Sequence, residues 1–323
     1  MIRIAISGYG YLGRGVECAV EQNRDMELVA TFTRRPDTVN PRSSIPVISV
    51  NEVANWVEKV DVLILCGSAI DDLRSHGPHM AAMFNTVDSF DVHPDIPAYY
   101  NTMNAALQAS GKLGVISAGW DPGLFSLNRL YMSTVLPEGQ SYTFWGKGIS
   151  QGHSTAIRKL DGVLDGVQYT CPIESSIERV RSGAMPQLSN REKHTRECYV
   201  VLKEGVIADE VEQAIITMPY YFADYETTVH FITLEELKRN HSKMDSRGLV
   251  FRSGQTGQGS IHSMEYRLDM DSNPEFTASV LVAYARAVYK MAAEGKTGAI
   301  TVLDVAPSLL SAKTNEQLRM EIL

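Results

Sequence analysis

The six residues Gly8-Tyr9-Gly10-Tyr11-Leu12-Gly13 have the G-x-G-x-x-G spacing that lets main-chain amides hold a pyrophosphate. Gly8 permits a tight turn, Gly10 keeps a Cβ out of the way of the phosphate, and Gly13 allows the next helix to pack close to a sheet. A helix starting there offers free N–H groups and the positive end of its dipole to phosphate oxygens. Arg34 and Arg35 end a second apolar run, where an NAD site has Asp or Glu for the ribose hydroxyls. A guanidinium fork suits a 2′-phosphate instead, so the pattern points to NADP. Asp91, Asp121 and His153 are groups that can hold an ammonium or move a proton. Each also has a plain structural explanation: Asp121 opens an Asp-Pro-Gly turn, Asp91 serves as a cap, and His153 is a structural hydrogen-bonder.

These residues need elements to position them. Residues 2–7 read as a buried parallel strand and 14–22 as the helix after it. Further strands are expected at 26–32, 60–66, 85–88 and 113–117, with helices at 51–58, 73–83 and 101–111 between them. This alternation predicts an α/β fold with a doubly wound parallel sheet of the Rossmann type. Its ligands lie beyond the carboxyl ends of the strands, which draws residues 8–12, 33–35, 66–68, 89–91 and 118–122 to one crevice. Past residue 119 the pattern changes. Strands at 141–145, 195–202, 227–232 and 261–269 predict one mostly antiparallel sheet with one covered face. Helices are expected at 175–181, 210–217 and 274–294, the last with Pro274 in its first turn and Asn273 as cap. The expected division is 1–120 for the cofactor, with 274–323 packing back on it, and 121–273 as an α+β substrate and dimerisation domain.

Bulk properties exclude several classes. A chain of 323 residues suits about two domains. A formal charge of -8 argues against a nucleic-acid surface. The first apolar stretch ends at Gly8, too short for a signal peptide or a membrane span. Cys18, Cys66, Cys171 and Cys198 are far apart with no C-x-x-C pair, as expected of reduced thiols in a cytoplasmic protein with no metal site.

A resemblance covers nearly the whole chain. Gly8-Tyr9-Gly10-Tyr11-Leu12-Gly13-Arg14, Thr33-Arg34-Arg35, Asp88-Ser89-Phe90-Asp91, Gly119-Trp120-Asp121-Pro122-Gly123, Phe144-Trp145-Gly146, Ser150-Gln151-Gly152-His153-Ser154 and Asn273-Pro274-Glu275-Phe276-Thr277-Ala278-Ser279 occur in that order. With them the sequence resembles the meso-diaminopimelate dehydrogenase family. The resemblance implies NADP-dependent oxidative deamination of the D-centre of meso-2,6-diaminopimelate, in lysine and peptidoglycan precursor metabolism, by a homodimer. It implies cofactor contacts at Gly8, Tyr9, Gly10, Tyr11, Leu12, Thr33, Arg34, Arg35, Cys66, Gly67, Ser68, Ser89, Phe90, Asp91, Ala118, Gly119, Trp120, Asp121 and Pro122. The implied substrate contacts are Asp91, Trp120, Asp121, Trp145, Gln151, Gly152, Thr170, Arg196, Ser246 and Asn273. Ser246 stands where the family pattern has a His, in a stretch, 244–248, expected to be a loop. Asp91, Asp121 and His153 all remain open as the group that takes the ammonium proton. Two rival readings are a semialdehyde oxidoreductase with Cys66 as nucleophile and a non-catalytic NADP-sensing module.

Overall fold

The structure, a computed structural model, describes residues 1–323 apart from the side chain of Asp71. It divides into two compact units, Met1–Leu127 with Pro274–Leu323, and Asn128–Asn273.

The first unit is built on strands β1 (Ile2–Ser7), β2 (Met26–Thr33), β3 (Val47–Ser49), β4 (Val62–Leu65), β5 (Thr86–Asp88) and β6 (Leu113–Val115), with a last strand at Gly298–Ile300. The sheet order is Gly298–Ile300, β6, β5, β4, β1, β2, β3. Every pairing is parallel. Val62, Leu63, Ile64 and Leu65 are all buried, as expected of a strand covered on both faces. Helices α1 (Tyr11–Glu21), α2 (Arg74–Ala81) and α3 (Ile96–Ser110) fill the crossovers. The expected helix at 51–58 is a 3-10 helix, Val50–Lys59. The helix expected from 73 begins as a π-turn, Ala69–Leu73, before α2.

The long helix Asn273–Ala293 runs through the apolar cluster of Ile4, Ile6, Val16 and Val20, contributing Leu281, Tyr284 and Val288. Gly15 makes that contact possible, since a Cβ there would lie 3.0 Å from both Ala278 Cβ and Pro274 O. Asn273 is the first residue of this helix rather than the cap before it.

The second unit holds β7 (Gly139–Trp145), β8 (Gly148–Ile149), β9 (Val163–Pro172), β10 (His194–Leu202), β11 (Glu226–Phe231), β12 (Ser246–Thr256) and β13 (Ser260–Met270). They form two sheets, not one: β11-β10-β9-β8 and β13-β12-β7. The first is mixed, with β10 and β11 parallel, so the expectation of a single mostly antiparallel sheet is corrected. β9 and β12 went unread because Gly166, Gly248 and Gly254, with several polar residues, break their apolar alternation. In β13 Met264, Tyr266 and Leu268 are half-buried while Glu265 and Arg267 are exposed, as the alternation predicts.

Candidate functional site

In the first unit, β1 stops at Ser7 and Gly8 turns the chain at φ +96°. Its N–H donates to Phe32 O at 2.9 Å, tying the turn to β2. A Cβ at Gly13 would lie 2.3 Å from Gly8 O, so only glycine lets α1 begin this close to the strand. Gly10 is the opposite case. A Cβ there would meet nothing within 4 Å, so its missing side chain leaves open space. A cavity of about 250 Å³ lies here, lined among others by Gly8, Gly10, Thr33, Arg35, Cys66 and Ser68. It gathers the ends of β1, β2 and β4. Arg34 also lines it, and its Nη2 forms an ion pair with Asp72 Oδ1 at 2.9 Å. Open backbone, the start of α1 and two arginines fit the phosphates of a dinucleotide.

Tyr9 and Gly67 line the cavity as well, and the other expected cofactor residues lie elsewhere in this unit. Tyr11 is exposed and Leu12 half-buried against the core. Phe90 is fully buried and stacked on Tyr99, with centroids 4.1 Å apart. Ala118 is a core residue. What these last two can offer a ligand is backbone.

Asp121 sits in a tight loop. Leu124 N donates to Gly119 O at 2.9 Å and Phe125 N to Trp120 O at 2.8 Å. Gly123 has φ +131°, and a Cβ there would lie 1.9 Å from Gly119 O. The Asp121-Pro122 peptide is cis. Asp91 follows β5 and is exposed. Partial loss of hydration raises its carboxyl from the ordinary value, against a backbone hydrogen bond and the charge of His93.

Three positioning residues of this unit escaped the sequence. Asp88 is fully buried; Oδ1 accepts from Phe90 N at 2.9 Å and from Ser117 N at 3.0 Å, and Oδ2 from Tyr99 Oη at 2.8 Å. One carboxyl thus pins both the 89–91 turn and the chain leading into 118–122. Burial pushes it up to about 6. Ser117, next to it, has φ +55°, a strained conformation for serine that turns the chain beyond β6. Glu17 is fully buried on α1 and accepts from the Tyr9 hydroxyl and from Ser43 N at 2.6 Å. Burial alone would raise this carboxyl, but the Ser43 and Tyr9 hydrogen bonds hold it below the ordinary value. It joins the glycine turn to the loop that follows Arg35. A lone Glu on an amphipathic helix reads as a surface residue, so nothing local marks it.

In the second unit, Arg196 of β10 stands opposite Thr170 of β9 in register. Its Nη1 donates to Thr170 Oγ1. The side chain is 5% exposed and lies over the Tyr225 ring, 3.9 Å from the centroid. Its Nε is buried without a hydrogen-bond partner, and among the described residues no carboxylate is within ion-pair distance of it. Burial lowers its pKa from the ordinary value. A buried guanidinium in this condition is built for an anion supplied from outside.

Trp145, at the end of β7, has its N–H held by His194 Nε2 at 2.8 Å and its ring stacked on that imidazole at 5.4 Å. His194 is buried, and desolvation with the nearby Arg196 charge lowers it to about 3. His153 is pulled down to about 3 by the same two causes. Its Nδ1 is 2.7 Å from Ser150 Oγ, and its ring meets Tyr221 and Phe222 edge-on. Gln151 and Gly152 open α5 (Gln151–Arg158) and are exposed. Ser246 is not in a loop: it begins β12, buried at 5%, against Gly148, where a Cβ would lie 2.5 Å from its Oγ. Asn273 N donates to Met244 O at 2.8 Å.

Cys66 does not suit a nucleophile. Its thiol donates to Ile64 O at 3.8 Å, and burial pushes its pKa far up, away from the thiolate.

Comparison with known proteins gives a consistent picture. A model of the diaminopimelic acid dehydrogenase C-terminal domain matches residues 119–272. The whole chain is 56% identical to a meso-diaminopimelate D-dehydrogenase of Ureibacillus thermosphaericus, covering 99% of that protein. It is 44% identical to the Corynebacterium glutamicum protein of that name, over 98% of each. The solved C. glutamicum DAP dehydrogenase in complex with DAP matches with a TM-score of 0.95 at 42% identity, covering 100% of this chain and 99% of that one. An engineered D-amino acid dehydrogenase bound to NADP+ matches with a TM-score of 0.91 at 42% identity, again covering 100% and 99%.

Proposed function

The chain belongs to the meso-diaminopimelate D-dehydrogenase family, and from that premise we propose how its residues divide the work. The reaction is NADP-dependent oxidative deamination of the D-centre of meso-2,6-diaminopimelate, giving L-2-amino-6-oxopimelate, ammonia and NADPH reversibly.

The first unit holds the cofactor. The glycine turn and the start of α1 take the pyrophosphate, and Arg34 and Arg35 take the 2′-phosphate. The bound nicotinamide supplies the hydride acceptor. Asp121, fixed by its glycine-locked loop, holds the reacting ammonium. Asp91, exposed on the turn after β5 that Asp88 pins, takes its proton. The neutral amine can then lose hydride from its carbon, leaving an iminium; Asp91, its proton passed to solvent, takes a proton from the water that adds to that carbon, and ammonia leaves. His153 is too weakly basic for this step and is assigned to hold the start of α5 through Ser150.

The second unit reads the far end of the substrate. Arg196 takes the distal carboxylate, with Thr170 and Asn273 as neutral partners and Trp145 as an apolar wall. The observation that carries this reading is the buried Arg196 guanidinium, with no carboxylate within ion-pair distance among the described residues. We also assign the protein to the cytoplasm and to a homodimer. The exposed Leu130, Tyr131 and Val135 of helix α4 (Leu124–Val135) support the dimer, and light scattering in solution checks it.

The activity is tested by following NADPH absorbance with the separated stereoisomers of diaminopimelate. The meso isomer should reduce NADP+ and the L,L isomer should not. No turnover on the meso isomer contradicts the reading.

A further inference from the structure

Asp72 lies on the π-turn Ala69–Leu73 and faces the cofactor cavity, with no task in the scheme above. Its Oδ2 accepts from Ser68 N at 3.1 Å, and its Oδ1 forms an ion pair with Arg34 Nη2 at 2.9 Å. A Cβ on Gly67 would lie 2.6 Å from the Asp72 Cβ, so Gly67 is what gives this carboxylate room. The end of β2 lacks the acidic residue that an NAD site uses for ribose hydroxyls. The turn after β4 brings a carboxylate to the same cavity, paired to one of the arginines that stand in its place.

We propose that Asp72 is a specificity-determining residue of the cofactor site: it competes with the 2′-phosphate for Arg34, and where Arg34 is absent it accepts the ribose hydroxyls of NAD+. The inference rests on the NADP reading of the cavity. Three features support the competition. The Arg34 side chain is 65% exposed and, among the described residues, is paired through Nη2 alone, so water and phosphate can displace Asp72 at low cost. A carboxylate within ion-pair reach of a phosphate-binding cation also repels the phosphate itself. Finally, Asp72 is held from behind by Ser68 N, so it stays in the cavity when Arg34 lets go.

The test is equilibrium binding of NADP+ and NAD+, by titration calorimetry, to the parent, Asp72→Asn, Arg34→Ser and the double variant. Asp72→Asn should bind NADP+ roughly two- to fivefold more tightly, the range of a partly exposed ion pair. The gain should shrink as salt rises. Arg34→Ser should bind NAD+ more tightly than Arg34→Ser/Asp72→Asn does. Weaker or unchanged NADP+ binding in Asp72→Asn would mean that Asp72 only orients Arg34, and would overturn the inference. So would equal NAD+ affinity in Arg34→Ser and the double variant. A parent that does not prefer NADP+ over NAD+ would instead defeat the reading of the cavity, which separates the two failures.

Discussion

On the division of work proposed above, the two units solve recognition in different ways. In the first, ligand contact is a matter of backbone. Gly8, Gly10 and Gly13 work by what they lack, and the cavity follows from three strand ends in a parallel sheet. In the second, contact is a matter of side chains held by other side chains: Arg196 by Thr170 and Tyr225, and Trp145 by stacking on His194. A main-chain cradle fits a group common to every dinucleotide. A buried guanidinium fits one carboxylate and rejects a substrate that leaves it unpaired. General binding and selectivity are thus housed on separate frameworks.

Predictions that break this comparison run from large to small effects. Asp121→Asn keeps the shape of the loop and removes the charge for the reacting ammonium. kcat/KM on meso-diaminopimelate should fall roughly a hundredfold, the upper range for a hydrogen bond to a charged group, while NADP+ affinity holds. Steady-state kinetics with a binding titration checks it; turnover near the parent level would reduce Asp121 to a turn residue. Gly10→Ala adds one methyl group where the structure has open space. Melting temperature should barely move, yet NADP+ affinity should drop about tenfold or more, because the methyl stands where phosphate must approach. Unchanged affinity would remove the backbone cradle from the account.

The smallest effect is the pH dependence of stability, which should have opposite sign at Asp88 of the first unit and at the two buried histidines of the second. His153 and His194 are lowered to about 3, so their stabilising contribution is present above their ordinary value near 6.5 and is lost as pH falls toward 3. Asp88 is raised to about 6. Its contribution is present below its ordinary value of 3.8 and is lost as pH rises through 6. Calorimetric melting between pH 4 and 7 (roughly the span of these shifts) should therefore show His153→Gln flattening the acid-side loss. Asp88→Asn should remove an opposing slope. Slopes of the same sign would contradict the assignment.

What the sequence disclosed follows the same division. The glycine turn, both arginines and the strand-helix alternation are local patterns, so the first unit was legible from the fingerprint and from continuous apolar runs such as β4. Asp88 and Glu17 were not, because a buried carboxylate is recognisable only by donors from distant segments: Ser117 for one, Ser43 for the other. In the second unit the chemistry depends on register across strands. Arg196 sits in a charged stretch and reads as a surface residue until β9 and β10 are paired. β9 itself was unread, so its Thr170 partner came only from the family resemblance. Ser246 reads as a loop residue because Gly248 and its polar neighbours hide the start of β12.

The separation of general binding from selectivity is tested most directly at Arg196. The measurement is kcat/KM for meso-diaminopimelate and for a D-amino acid with an apolar side chain, in the parent and in Arg196→Met. Activity on meso-diaminopimelate should fall sharply in the variant, while activity on the apolar D-amino acid is kept or rises, because no desolvated guanidinium is left without a partner. A parallel fall on both substrates would contradict the account and make Arg196 a structural residue of its sheet.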